Sequence, residues 1–155
     1  MAQLGLGDAA PDFTLPSDDG SKIGLASFKG KPLVLYFYPK ADTSGCTKEA
    51  NEFNALLKDF GKAGVSVLAA SPDPVKALHK FKTKYALAFP LIGDESHAIL
   101  EAYGVWTEKS MYGRRYMGVE RSTFLIGKDH RIAKIWRKVK VEGHAAEVLE
   151  AARVL

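Results

Sequence analysis

The longest apolar run in the chain, Leu33-Val-Leu-Tyr-Phe-Tyr38, ends abruptly at Pro39. A run with no polar alternate predicts a strand buried on both faces, in the middle of a sheet. Val65-Ser-Val-Leu-Ala-Ala70 predicts a second buried strand. Between them, from about Cys46, Ala50, Phe53, Leu57 and Phe60 recur at three- and four-residue spacing, the period of an amphipathic helix. Thr43 or Ser44 could cap its start, and Gly61 or Gly64 could stop it. A strand, helix, strand unit of this length implies parallel pairing through a right-handed crossover.

Pro74 suits the first turn of a helix carrying Val75, Leu78, Phe81 and Tyr85, and Ser96 could cap a shorter helix through Ile99, Leu100 and Tyr103. Both would cover a sheet face. Ser122-Thr-Phe-Leu-Ile126 and Arg131-Ile-Ala-Lys-Ile-Trp136 flank the turn Gly127-Lys-Asp-His130, which predicts an antiparallel hairpin at the sheet edge. Gly143 to Leu155 closes the chain as a helix with Ala146, Leu149, Ala152 and Arg153 or Val154 on successive turns. This order predicts an α/β sandwich, a central mixed β-sheet flanked by helices.

At 155 residues, 46% hydrophobic and 26% charged, the chain suits one domain over 1–155 without metal or disulfide staples. No apolar run approaches the ~18 residues needed to cross a bilayer. The start, Met1 to Asp8, has neither the basic stretch nor the apolar core of an export signal, so the cytoplasm is the expected location. Charge is uneven: Lys109 to Lys140 carries ten Lys or Arg against Glu120 and Asp129, or +8, while the remainder carries −4. A solvated basic surface on strands and turns is preferred over nucleic-acid binding, because aromatic stacking residues are not interleaved as a reading platform requires.

The single cysteine, Cys46, excludes an internal disulfide and any multi-cysteine metal site. A lone cysteine is commonly a small buried apolar residue. This one opens a helix, where unpaired N–H groups and the helix dipole favour an anion, and thiolate is the nucleophilic form. Gly45 permits another group to approach closely, Thr43 offers a hydroxyl, and Pro39 fixes the loop's exit from the strand. Acyl transfer would need a histidine base, but His79, His97, His130 and His144 all read as surface residues. Position 49 is Glu, so there is no C-x-x-C redox pair. Attack on an easily broken electrophile such as a peroxide oxygen remains, giving a sulfenic acid that a separate thiol reduces, with no metal or other cofactor required.

Pro39, Thr43 and Cys46 resemble the P-x-x-x-T-x-x-C motif of peroxiredoxins, and Tyr36 to Ala50 is similar to the bacterioferritin comigratory protein, or PrxQ, branch. Lys109 to Ile126 resembles that branch's block containing the active-site arginine, which falls on Arg121; Ala10-Pro-Asp-Phe13 and Phe89-Pro-Leu91 also fit. The resemblance implies a thioredoxin-like fold and a thiol-dependent peroxidase of antioxidant role. Cys46 would be the peroxidatic nucleophile, Arg121 would favour the thiolate and hold the peroxide, and Thr43 with backbone N–H groups near Gly45 would bond its oxygens. Pro39 would shield the sulfur from water. Without the resemblance, Arg121 reads as one more basic residue paired to Glu120 or Glu49, and Glu49 as structural.

The chain departs from the branch in two ways. Asn51 and the neighbourhood of Lys82 stand where a resolving cysteine is found, and Ser44 replaces a common proline. The implied cycle is therefore of the one-cysteine kind, with a peroxide substrate and an external thiol reductant: a thioredoxin, a glutaredoxin with glutathione, or a small thiol. A monomer or weak dimer is expected. The alternatives are a thioredoxin-like redox sensor without turnover and a basic-surface anion or nucleic-acid binder with an inert thiol.

Overall fold

A computed structural model describes residues 4–155. Residues 1–3, on which part of the no-export expectation rests, lie outside the described residues. The chain forms β1 (Thr14–Pro16), β2 (Lys22–Gly24), a 3-10 turn (Leu25–Phe28), β3 (Leu33–Phe37), α1 (Ser44–Ala55), α2 (Leu57–Lys62), β4 (Ser66–Ser71) and α3 (Val75–Tyr85). There follow β5 (Leu91–Gly93), α4 (Ala98–Ala102), β6 (Trp106–Met111), β7 (Arg114–Val119), β8 (Ser122–Ile126), β9 (Ile132–Trp136) and α5 (His144–Arg153).

β3 is the middle of a five-stranded sheet ordered β5-β4-β3-β8-β9. It pairs in parallel with β4, Leu35 opposite Leu68, and antiparallel with β8, Leu35 opposite Phe124. The β4–β5 pair is parallel and the β8–β9 pair antiparallel, so the sheet is mixed, as its pattern predicts. All of β3 is buried: Val34 and Tyr36 enter one core, with α1, α2, α3 and α5, and Leu33, Leu35 and Phe37 enter the other, with α4, the N-terminal segment and the root of β6 and β7. Two apolar layers explain why this strand has no polar alternate. In the first layer Tyr36 stacks on Phe53 of α1, ring centroids 4.5 Å apart.

The helix expected from Cys46 is two helices. It breaks at Leu56 (φ −100, ψ 3), just after Asn54, whose side chain accepts from Ala88 N and donates to Ala86 O. α3 and α4 cover opposite faces of the sheet. Pro74 is the residue before α3 rather than in its first turn. Ser96, the expected cap of α4, is only 3.4 Å from Ala98 N; the buried Asp94 carboxylate accepts from Ile99 N and Leu100 N at 2.9 and 3.0 Å instead. α5 buries Leu149 and Ala152 as expected, but Ala145 and Val148 complete its apolar stripe, while Ala146 is exposed and Val154 is 84% exposed.

The β6–β7 hairpin was not legible as strands, and neither were the three-residue strands β1, β2 and β5. β6 and β7 form a separate two-stranded sheet, with Trp106 opposite Val119 at the root and Met111 opposite Arg114 at the tip. Most of it is exposed, so no face had to be apolar.

Candidate active site

The site forms where β3 hands over to α1. After Tyr38 the chain turns through Pro39, half-buried, and the loop is tied down on three sides. Ala41 N donates to Asp73 Oδ2 (2.8 Å), which also accepts from Ser71 Oγ (2.7 Å). Asp42, held at φ +62, accepts from Tyr85 OH (2.6 Å) and Lys84 Nζ (2.9 Å) at the end of α3, contacts that hold its carboxyl below the usual carboxylate range. Thr43 Oγ1 donates to Lys40 O (2.8 Å). Thr43 is the N-cap of α1 by position, but its side chain makes no cap bond. The first intrahelical bond runs from Thr47 N to Thr43 O (2.8 Å), so the N–H groups of Ser44, Gly45 and Cys46 precede the helical ladder.

Cys46 is 2% exposed, and Arg121 reaches it from the chain just beyond β7. Arg121 Nη2 donates to Cys46 Sγ at 3.3 Å, and Nη1 donates to Glu49 Oε1 at 2.7 Å, one helical turn further along α1. The guanidinium thus bridges a sulfur and a carboxylate that α1 presents on one face. A Cβ on Gly45 would meet Arg121 Nη2 at 3.2 Å, so the glycine makes room for the guanidinium. An N–H donor aimed at sulfur stabilises its anionic form.

Glu49 is 1% exposed and its Oε2 has no hydrogen-bond partner among the described residues. Burial pushes its carboxyl up to about 7, against the pull of Arg121. The Tyr36 hydroxyl below it is also buried, without a partner among the described residues, and burial and Glu49 push it well above the usual phenol range. Further along the same layer, His144 Nε2 lies 2.7 Å from Thr123 Oγ1, with the ring edge-on to Phe53 and Trp136. Burial pushes its imidazole down to about 4.

Of the residues singled out in the sequence, Gly45, Cys46 and Arg121 come together; the Thr43 hydroxyl turns to Lys40, and Pro39 lies at the base of the loop. The reading of Arg121 as paired to Glu49 and its approach to Cys46 hold at once. Glu120 is not its partner among the described residues. His144, expected on the surface, is 6% exposed, because the first turn of α5 packs against Phe53 and Trp136. Among the described residues no histidine is hydrogen-bonded to Cys46, and no three His, Cys, Asp or Glu side chains converge to hold a metal ion. Asp42, Asp73 and Tyr85, which fix the loop, were not legible, since their partners lie 32 and 43 residues away. Of the ten basic residues between 109 and 140, Lys109, Arg121 and Arg137 are partly withdrawn and the others are exposed.

The AhpC/TSA family model matches residues 6–135. The chain is 50% identical over 144 residues, 93% of its length and 95% of the relative's, to the putative peroxiredoxin bcp of Coxiella burnetii. Its fold superposes on the bacterioferritin comigratory protein of Xanthomonas campestris, studied for alkyl peroxide reduction, with a TM-score of 0.90 at 44% identity, covering 99% of this chain and 98% of that one. A cysteine mutant of PrxQ from Xylella fastidiosa superposes with a TM-score of 0.94 at 39% identity, again covering 99% and 98%. These neighbours share the thioredoxin-like arrangement of a mixed sheet between helices. With a family model spanning most of its length and close relatives covering nearly all of it, the chain belongs to the AhpC/TSA family, in its peroxiredoxin Bcp (PrxQ) branch.

Proposed function

We propose that residues 1–155 act as one domain in which Cys46 reduces hydrogen peroxide and organic hydroperoxides by way of a sulfenic acid. As a peroxiredoxin the chain is a thiol-dependent peroxidase. The observation that carries the assignment of roles is Arg121 Nη2 donating to Cys46 Sγ at 3.3 Å, beside helix N–H groups left uncapped. Thiolate is the form that such donors favour. The sulfur attacks the terminal peroxide oxygen: an S–O bond forms, the O–O bond breaks, and the departing RO⁻ takes up a proton to leave as ROH or water.

Arg121 keeps N–H groups beyond the two already committed, and these with the N–H groups of Gly45 and Cys46 receive the charge that builds on the oxygens. The Thr43 hydroxyl spends its proton on Lys40 O, so its lone pairs accept from the peroxide O–H. Pro39 limits water at the sulfur. Because Cys46 is the one cysteine in the sequence, the sulfenic acid is returned to thiol by an external reductant, a thioredoxin-type protein, a glutaredoxin with glutathione, or a small thiol. The enzyme works in the cytoplasm as a monomer or weak dimer; among the described residues no helix is long and apolar enough to cross a membrane.

One equivalent of hydrogen peroxide should add one oxygen to Cys46, read by mass spectrometry, and excess should drive it to sulfinic and sulfonic acid. Steady turnover should then appear with an added thiol. An enzyme that turns over without any oxygen adduct contradicts the sulfenic route, and an adduct without turnover identifies a sensor rather than an enzyme.

A further inference from the structure

Seven large apolar side chains are exposed among the described residues, and four of them, Met111, Tyr112, Tyr116 and Met117, sit on the β6–β7 hairpin. The other three, Leu6, Val154 and Leu155, lie near the two ends of the chain. A strand resting on a protein body buries every second side chain, because successive side chains point to opposite faces. In this hairpin every position from Ser110 to Met117 is exposed, on both strands and through the turn. The tip therefore stands clear of the body on both of its faces, while the root is set where Val105 and Val119 enter the second core.

Residues directly opposite each other in the ladder share a face, so the register shows what each level of the tip offers. Tyr112, 99% exposed, leads at the turn. Met111 and Arg114 form the outermost pair on one face, and Ser110 and Arg115 the next pair, on the other. Lys109 and Tyr116 follow on the first face, then Glu108 and Met117 on the second. Each face thus carries an arginine and at least one exposed apolar side chain. From Lys109 to Met117 there are three cations and no acid. The one acid of the two strands, Glu108, stands at the level furthest from the turn, 3.4 Å from Arg115. At about 3.4 Å per residue, these levels span roughly 10 Å. That matches the ~5–10 Å to which interfacial elements sink into the boundary between lipid headgroups and acyl chains.

We infer that the tip of this hairpin docks on an anionic lipid bilayer, with Tyr112, Met111 and Tyr116 entering the headgroup boundary and Arg114, Arg115 and Lys109 meeting lipid phosphates. The cations call for an anionic partner, and phosphates at a membrane surface attract clustered Lys and Arg. Tyrosine suits that boundary because its ring is apolar and its hydroxyl stays wet, and methionine adapts its unbranched chain to an irregular surface. Exposure on both faces selects lipid among anionic partners. A folded protein covers one face of a ribbon and leaves the apolar side chains of the other in water, whereas a fluid boundary closes around both faces and the turn. A nucleic acid meets the cations but gives Met111 and Met117 nothing apolar to enter. A second copy of this chain across a two-fold axis would set Arg114 and Arg115 against their own equivalents, a like-charge juxtaposition that costs affinity. The inference does not rest on the peroxidase reading, since it uses no group assigned to the Cys46 site.

The test is cosedimentation with vesicles of phosphatidylcholine alone and of equal parts phosphatidylcholine and phosphatidylglycerol. Wild type should bind the anionic vesicles and leave the neutral ones. Arg114→Glu/Arg115→Glu should weaken that binding at least about tenfold, and Met111→Ser/Tyr112→Ser at least about threefold. All four positions are exposed, so melting temperatures should match wild type. Lys138→Glu/Lys140→Glu makes the same charge change at exposed positions outside the hairpin and should cost far less. Depth is read from Tyr112→Trp, whose added emission should shift to the blue with anionic vesicles and be quenched by brominated acyl chains. A wild type that ignores anionic vesicles overturns the proposal. Equal losses from the two charge reversals overturn it as well, because the basic protein as a whole would then be the ligand. So does an unshifted, unquenched emission in Tyr112→Trp, which would mean that no apolar side chain enters the bilayer. A wild-type dimer in sedimentation velocity that the hairpin variants abolish assigns the face to a second copy and overturns the proposal too.

Discussion

Glu49 and Asp94 are buried on opposite sides of the same sheet, 1% and 0% exposed, and their surroundings differ in kind. Asp94 accepts from the N–H groups of Ile99 and Leu100 on one oxygen and from Ser96 Oγ on the other, so both its oxygens are occupied by nearby donors. Glu49 has one oxygen on Arg121, 72 residues distant in sequence, and the other on nothing among the described residues. A carboxylate filled by backbone donors fixes a helix start. A half-filled one, sharing its cation with a sulfur, holds a proton that it can exchange near neutral pH.

The largest effect should come from the filled acid. Asp94→Ala leaves two buried N–H groups without acceptors and should cost about 3 kcal/mol of unfolding free energy in denaturant melts. The peroxide step of the folded fraction should be unaffected. A loss below about 1 kcal/mol would mean that water replaces the carboxylate and that the two acids are less different than their contacts imply.

On the other face the expected effect is on rate. Arg121→Lys keeps the charge and loses the planar fork that spans Cys46 and Glu49, so stopped-flow peroxide reduction should slow by at least about tenfold, or ~1.4 kcal/mol of barrier, with little change in melting. Wild-type rates in that variant would reduce the bridge to packing.

Smaller effects should appear in the pH dependence of stability. The Glu49 carboxyl is raised from 4.5 to about 7, so the folded state holds the proton more tightly than the unfolded chain. Its contribution is complete below 4.5 and is lost as pH rises towards 7. Glu49→Gln, which still offers Arg121 an oxygen, should flatten that decline. An unaltered curve would show that this carboxyl does not titrate there.

His144, on the same face, should act with the opposite sign. Its imidazole is lowered from 6.5 to about 4, so the unfolded chain takes up the proton first, and stability is complete above 6.5 and lost as pH falls towards 4. His144→Gln should remove that acid-side loss in thermal melts across this window. Its persistence would place the titration elsewhere.

Legibility followed burial over a run long enough to show it; β5 is buried throughout but only three residues long. β3 could be read because every position is apolar, β4 because four apolar residues stand in a row, and the β8–β9 hairpin because its turn chemistry lies between two largely apolar strands. The β6–β7 hairpin lies between α4 and β8 but faces solvent on most positions, so its sequence carries no apolar period. The break at Leu56 escaped because Leu57 and Phe60 keep the helical phase across it; both helices pack into the same layer. His144 was misplaced because exposure tendencies average over environments, whereas here Thr123 offers a buried partner from another strand.

The sequence by itself determined the mixed sheet, the position of Cys46 at the first turn of a helix, and the space that Gly45 leaves beside it. These follow from local rules: periodicity, turn chemistry and the size of one side chain. Only tertiary structure decided what fills that space. The Arg121 contact spans 75 residues to Cys46 and 72 to Glu49, and the composition around Arg121 marks it merely as one of ten cations in a basic stretch. The antiparallel return of β8 along β3 and the hairpin preceding it aim this particular guanidinium at the sulfur, while most of its basic neighbours stay in water. Direction in space is a property of strand pairing, which no local pattern records.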